Sequence, residues 1–417
     1  MKRVALPVAT AALLASAFAV LTAQQPSAVR AFTGMRLFAA REFPPIDNAT
    51  MLVRDGRITE VGPAATVPIP AEAERISLAG KVVIPGLINA HGHANDLVRD
   101  LKVYAHYGVT TVYSLGNDNN AQAAVEARES QDTPALTRSR IFTAGPVLAP
   151  GSVAEARELV ARNVAMKVDI IKIRVDDNLG TTAKMPPEIY RAVIDEAHKL
   201  GRRVAVHLFY AEDAKGVLDA GADFIAHSVR DVPVDGPFIT RARARGACFS
   251  PTLMREVSTF VYESTPPFFS DPLFLAHADP KTLATLNEPA RQEAMRSNPS
   301  AQRYKLALDN ASRNVKRLSD AGVPLAMGTD TGLTGRFQGY FEWMELELMV
   351  KAGLSPRQAL FAATRDAAKC MKLEQDLGTL EAGKWADFVA LNADPLVDIA
   401  NIRTVDSVWI AANRVPR

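Results

Sequence analysis

His91 and His93 stand two residues apart at the end of an apolar, β-branched run that begins at Val82. In a strand, residues i and i+2 project from one face, so both imidazoles can point at a single place. Two neutral imidazoles converging at a strand end make half of a zinc-type site. Alone, a His-x-His pair reads equally well as a solvated loop. Four further ligand types, however, occur in or at the ends of later strand-like runs. Lys172 falls inside Ile170-Ile171-Lys172-Ile173, and His207 ends Val204-Ala205-Val206-His207. His227 ends Phe224-Ile225-Ala226-His227, and Asp330 ends Met327-Gly328-Thr329-Asp330. A lysine inside an apolar strand, or a carboxylate ending one, is costly unless it is paired or modified. The plainer alternatives are a Lys172 that pairs with Asp169 or Asp176, and core histidines at 207 and 227.

These residues need elements to carry them. Strand signals recur at residues 82–91, 108–115, 140–146, 168–175, 203–208, 222–227, 247–253 and 324–330, with helical segments such as 152–166, 187–200 and 301–320 between them. Alternation of this kind argues for parallel βαβ units. Eight strands make the fold class α/β, with a closed (β/α)8 TIM-type barrel the economical reading. In such a barrel the chemistry sits at the C-terminal strand ends, where the candidates lie. One connection, residues 254–300, is too long for a simple loop and carries Pro266-Pro267-Phe268-Phe269; it is expected to be a lid or binding loop. Residues 28–80 show short alternating runs with an Asp55-Gly56 turn signal, and residues 377–417 have the same β texture.

The chain of 417 residues opens with Lys2 and Arg3, then an apolar run ending in small residues, with Ala17-Phe18-Ala19 and Ala23 as cleavage candidates. Residues 1–23 therefore read as a signal peptide, giving a secreted or periplasmic protein; an uncleaved anchor is the alternative. No other stretch looks transmembrane. Losing Lys2 and Arg3 takes the formal charge from +2 to about zero, which gives no argument for nucleic acid. The two cysteines, Cys248 and Cys370, are isolated and apolar-flanked, so buried thiols are expected, with one disulfide conceivable after export.

The segment from Val82 to His93 resembles the first barrel strand of the amidohydrolase superfamily, the imidazolonepropionase-like and prolidase-like branch above all. The phrase Leu377-Gly378-Thr379-Leu380-Glu381-Ala382-Gly383-Lys384-Trp385-Ala386-Asp387 is similar to that family's C-terminal signature. The resemblance runs from about residue 28 to the C-terminus. It implies that both chain ends combine into a small β-sandwich (28–80 and 377–417) beside a metal-dependent hydrolase barrel over 81–376. It implies too that Lys172 is carbamylated and bridges two divalent ions. His91 and His93 would hold one ion with Asp330, and His207 and His227 the other. Zinc is expected, since four of these ligands are imidazoles. Two divalent ions lower the pKa of a bound water, so hydroxide attack on an amide C–N bond becomes available near neutrality. Asp330 would hold the water's proton and pass it on, with His207 and His227 near the polarised carbonyl.

A mononuclear zinc deaminase shares most of these ligands, but relatives of that kind place a Glu three residues after the fifth-strand His, where this chain has Tyr210. A lactonase or phosphotriesterase would keep all six. A non-catalytic binding barrel usually loses a ligand, and none is missing. Candidate substrate residues are Arg174, Tyr210, Arg230, Arg255 and, in the insertion, Tyr262, with the arginines suited to a small-molecule carboxylate. Arg174 has Asp176 or Asp177, and Arg230 has Asp231, as alternative structural partners. The chain also departs from the prolidase-like pattern, with Ala-His-Ser where Glu-His-Gly is common around His227. His106 and His198 are expected to be structural, and His277 a lid candidate; a homo-oligomer is compatible with all of this.

Overall fold

A computed structural model describes residues 29–116 and 119–416, so the expected leader lies outside the described residues. The chain enters as an antiparallel meander of β1 (Arg30–Leu37), β2 (Ile46–Arg54) and β3 (Arg57–Pro63). Asp55 and Gly56 turn β2 into β3 with φ of +51° and +74°, the left-handed pair that suits a twisted hairpin. Two strands then pair parallel with β1. β4 (Glu74–Ser77) takes its first half and β5 (Val82–Pro85) its last two residues, so the sheet forks.

The chain next crosses into a ring of parallel strands. These are β6 (Leu87–Gly92), β7 (Val109–Ser114), β8 (Arg140–Thr143), β9 (Ile171–Arg174), β10 (Val204–His207), β11 (Phe224–Ala226) and β12 (Cys248–Ser250). β6 to β8 form one ladder and β9 to β12 another. A bridge between Leu148 and Ile173 joins the two ladders, and one between Phe249 and Leu325 adds an eighth segment. Ala90 N donates to Met327 O at 2.8 Å, which returns the ring to β6. Helices α1 (Leu97–His106), α2 (Ala121–Glu129), α3 (Val153–Ala165), α4 (Pro187–Lys199), α5 (Ala211–Ala220) and α6 (Gly236–Arg245) follow β6 to β11 in turn. Their ends are written in the sequence: Ser152 and Asp235 accept N–H groups of the first turns of α3 and α6, and Gly221 and Gly246 close α5 and α6 in the left-handed region.

Three expectations are corrected here. Residues 82–91 are two strands, not one. Gly86 breaks the run, because a Cβ there would sit 2.1 Å from the Thr110 hydroxyl, and the halves serve different sheets. Residues 324–330 are not a regular strand: their backbone partners alternate between Phe249, Ala362 and His91, and Gly328 lets the segment press on Ser250 and His91. The cysteines are not free thiols. Cys248, opening β12, is bonded to Cys370 across 122 residues.

After β12 come α7 (Leu253–Ser258), α8 (Pro272–Leu275), α9 (Pro280–Leu286) and α10 (Pro289–Arg296), then α11 (Pro299–Asp320), which leads to the eighth segment. The stretch expected to be a lid is packed as a wall over its first half. Tyr262 and Phe274 are 1% exposed, Phe274 meets Phe337 at 4.7 Å, and Tyr262 donates to Gly335 O at 2.6 Å. α12 (Tyr340–Lys351), α13 (Pro356–Ala362) and α14 (Arg365–Met371) complete the helices. The chain end then adds β13 (Phe388–Leu391), β14 (Val405–Ile410) and β15 (Asn413–Arg414) beside β5, giving one forked eight-stranded sheet. Phe32, Phe388 and Trp409 sit at its centre, with ring contacts of 5.0–5.7 Å. Asp387 ties it to the barrel through a buried pair with Arg140 at 2.7 Å. Among the described residues no helix is long and apolar enough to cross a membrane.

Candidate metal centre

The C-terminal strand ends converge on one buried polar cluster. His91 and His93 leave β6 on one face, and their Nε2 atoms lie 3.3 and 2.9 Å from Asp330 Oδ1. One donor atom from each of these three residues lies within 4.8 Å of the others, which is a ready cation site. Asp330 reaches it from a left-handed backbone (φ +58°), and His227, at the end of β11, is also left-handed at φ +95°. Such conformations persist in L-residues only where the surroundings enforce them. The His227 ring lies 4.6 Å from His91 and 4.3 Å from His207. The Nε2 of His207 is 3.1 Å from Asp176 Oδ2. Lys172 is 3% exposed, and its Nζ has no hydrogen-bond partner, as is also true of His91 Nδ1.

Burial dominates the electrostatics. It pushes His91 down to about 3, reinforced by Lys172 and opposed by Asp330. It pushes His207 down to about 4 against the pull of Asp176, and His227 well below its ordinary value, helped by His207 and His91. Lys172 falls to about 7, with burial only partly offset by Asp330 and Asp176. Asp330 goes the other way from its burial: Arg336 and the two imidazoles hold it well below the usual carboxylate range. Asp176 is likewise lowered, because His207 and Arg174 outweigh its burial. Neutral imidazoles, an ionised carboxylate and a buried amine that neutralises readily are the protonation states that metal ligation and carbamylation require. The residues fit divalent ions.

The expected substrate residues divide. Arg230 is fully buried, donates to Leu208 O and Ser228 O at 2.9 and 2.8 Å, and faces Glu256 at 3.1 Å, while its Nη2 has no hydrogen-bond partner. It braces the protein interior, and Asp231 is not its partner. Arg255 shares Glu256 at 3.2 Å and donates to the Tyr304 hydroxyl at 3.1 Å, while its Nε is unpartnered and lies 4.0 Å from Asp330 Oδ2. Arg174 is taken by Asp176 at 3.0 Å. Tyr210 donates to Asp177 at 2.9 Å, and Tyr262 is locked to Gly335. Outside the cluster, His198 pairs with Asp223, and His106 meets His277 edge-on at 4.0 Å.

Sequence reasoning missed Arg336, Thr252, Glu256 and the role of Asp176. Arg336 contacts Asp330 and donates to Ser258 Oγ at 3.1 Å. Thr252 Oγ1 lies 2.7 Å from His227 Nδ1. Asp176 carried a signal, being two residues past Arg174 on the same face; Thr252 and Arg336 sit in loops and Glu256 in the short helix α7, with no periodicity to mark them.

The sequence profile of the amidohydrolase family matches residues 82–415. An imidazolonepropionase of Deinococcus deserti is 26% identical over 410 residues, 90% of this chain and 94% of that protein. The crystal structure of a Bifidobacterium longum protein assigned as a prolidase superposes with a TM-score of 0.76 at 27% identity, covering 94% of this chain and 95% of that one. A Xaa-Pro dipeptidase with bound methionine, at 20% identity and a TM-score of 0.74 over 94% and 100% of the two chains, shows the same fold. With barrel, appended sheet, buried histidines and strand-end aspartate in place, the chain belongs to the amidohydrolase family, in its imidazolonepropionase- and prolidase-like branch, and is a hydrolase acting on carbon–nitrogen bonds.

Proposed function

We propose that this hydrolase uses two divalent ions to cleave the amide bond of a small molecule with a free carboxylate, such as a dipeptide or N-acyl amino acid. The observation that carries the two-ion reading is Lys172, whose amine is buried without a partner among Asp330, Asp176 and the imidazoles of His91 and His207. An unpaired buried ammonium is expensive, and carbamylation turns it into an anionic ligand that can face two ions. Ions held by His91, His93, Lys172, His207, His227 and Asp330, zinc for a set this rich in imidazole, would polarise the carbonyl and lower the pKa of water.

The chain's own residues do the rest. Asp330 Oδ1, between two imidazoles, is placed to take a proton and return it to the leaving nitrogen. Arg255 has one nitrogen, Nε, without a hydrogen-bond partner, and is the residue that would hold a substrate carboxylate. The deaminase reading loses support, because Tyr210 supplies no carboxylate after His207 and its hydroxyl is engaged by Asp177. Export through the residue 1–23 leader is part of the proposal, and the Cys248–Cys370 bond supports an oxidising compartment.

The test is hydrolysis of N-acyl amino acids and dipeptides against their C-terminal amides, in wild type and Arg255→Met. The acids are expected to be preferred, with that preference reduced in the variant. Equal cleavage of acid and amide in both proteins removes the carboxylate, and an ester, lactone or larger amide takes its place.

A further inference from the structure

α12 carries two glutamates on one face, Glu342 and Glu345, and both are fully buried. Carboxylates three apart in a helix normally mark a solvated face, and burying them is costly without strong donors. Each has found donors, and they belong to opposite halves of the metal centre. Glu342 Oε1 accepts Asn89 Nδ2 at 2.6 Å and the hydroxyls of Thr329 and Thr331 at 2.7 Å. Those threonines flank Asp330, and Asn89 Oδ1 in turn accepts the His91 N–H at 2.9 Å. Glu345 accepts Leu253 N on one oxygen at 2.9 Å and Met254 N on the other at 2.6 Å.

The second contact explains an oddity at α7. Thr252 is its N-cap residue, a type whose hydroxyl ordinarily accepts the free N–H groups of the first turn. Here it makes no such bond; its backbone is left-handed at φ +49°, and its hydroxyl lies against His227 Nδ1 instead. Glu345 supplies from another helix the acceptors that Thr252 withholds. Thr252 can therefore serve His227 without leaving two buried N–H groups unsatisfied, which is destabilising. When His227 Nδ1–H donates to Thr252 Oγ1, Nε2 keeps its lone pair, which is the form a metal ligand needs.

We infer that α12 is a two-pronged brace for the metal centre, in which Glu342 positions the His91–Asp330 half and Glu345, acting through Thr252, positions His227. Neither glutamate is a catalytic residue; both are positioning residues. The inference rests on reading His227 as a ligand, and the experiment separates the two claims. Full-length protein is stripped of metal and titrated with Co2+, reading affinity and the visible spectrum of the bound ion, for wild type, Glu345→Gln, Thr252→Val and the double variant. Glu345→Asp, which keeps the charge but is one methylene too short to span both amides, is the second variant should Glu345→Gln fail to fold.

Glu345→Gln and Thr252→Val are each expected to weaken binding about 10–100-fold and to change the cobalt spectrum. Their combination is expected to be no worse than the more severe single change, because both act along one path. Glu342→Gln combined with Thr252→Val is expected to be additive, since these act on opposite halves. Wild-type cobalt affinity and spectrum in Glu345→Gln and Glu345→Asp, with only a lower unfolding temperature, overturn the brace while leaving the site reading intact. So does full additivity of Glu345→Gln with Thr252→Val. A wild type that takes up no cobalt overturns the site reading and the brace with it.

Discussion

Glu256 is the sharpest point at which to perturb this protein. It is fully buried and is shared by Arg230 at 3.1 Å and Arg255 at 3.2 Å. At an effective dielectric constant near 20, one such pair is worth about 5 kcal/mol of direct attraction. Glu256→Gln keeps the shape and removes the charge, leaving two buried guanidinium groups without their shared counter-ion, Arg255 keeping only Asp330 at 4.0 Å. Arg230 retains its two carbonyl acceptors and the Phe209 ring at 4.7 Å, and Arg255 retains Tyr304, so part of the loss is recovered. Breaking a buried pair from one side costs about 3–5 kcal/mol, and a value in that range is expected here. The assay is urea unfolding followed by tryptophan fluorescence and circular dichroism. Adding Arg230→Met to Glu256→Gln should restore part of the stability, because one of the two orphaned cations is gone. On metal-loaded enzyme, Arg230→Met should leave the acid-to-amide preference unchanged, whereas Arg255→Met reduces it. A loss below about 1 kcal/mol for Glu256→Gln would mean that the guanidiniums are hydrated, and Arg230 would return as a substrate ligand.

Acid should destabilise the metal-free protein well above the carboxylate range. His91 and His207 sit at about 3 and about 4 against an ordinary 6.5, and His227 is lowered too, so the unfolded chain binds more protons as pH falls. Their contribution is fully present above pH 6.5 and is lost as pH falls toward 4, by up to ~1.4 kcal/mol per pH unit for each histidine; denaturant titrations at several pH values check the slope, and a flat profile over that window would show solvated rings. Reducing the Cys248–Cys370 bond releases a loop of 122 residues and should lower stability by about 5 kcal/mol on the chain-entropy account, read as the shift in unfolding midpoint with and without reductant. Phe274→Ala should cost about 3–5 kcal/mol, because this residue packs on Phe268, Phe337 and Tyr340; a change near zero would restore residues 254–300 as a detached lid.

The periodic parts of this molecule were legible in its sequence, and the parts that depend on distant partners were not. Residues 152–166 and 187–200 read as elements because their apolar spacing is local, and α3 and α4 lie within a residue or so of those bounds. The eighth segment did not read correctly, because its backbone is shared among three partners, none adjacent in sequence. At the site, His91, His93 and Asp330 are brought together, each ending an apolar run that has nowhere else to put a polar group. The partner of Arg230 was not legible, because Glu256 lies 26 positions on in the six-residue helix α7, where no pattern advertises a buried carboxylate. Glu342 and Glu345 look like the wet face of a helix; Asn89, which donates to the first, and Leu253, which donates to the second, are 253 and 92 residues away in sequence.

The two-ion reading turns on Lys172, so metal content is the measurement that bears on it most directly. Protein prepared with excess Zn2+ and bicarbonate and then desalted is analysed for zinc per chain, with 13C-labelled bicarbonate reporting a lysine carbamate by NMR. Close to two ions per chain and a carbamate signal are expected in wild type, with both the signal and at least one ion lost in Lys172→Met. One tightly bound ion, no carbamate, and the same zinc content in Lys172→Met would contradict the account and leave a mononuclear hydrolase.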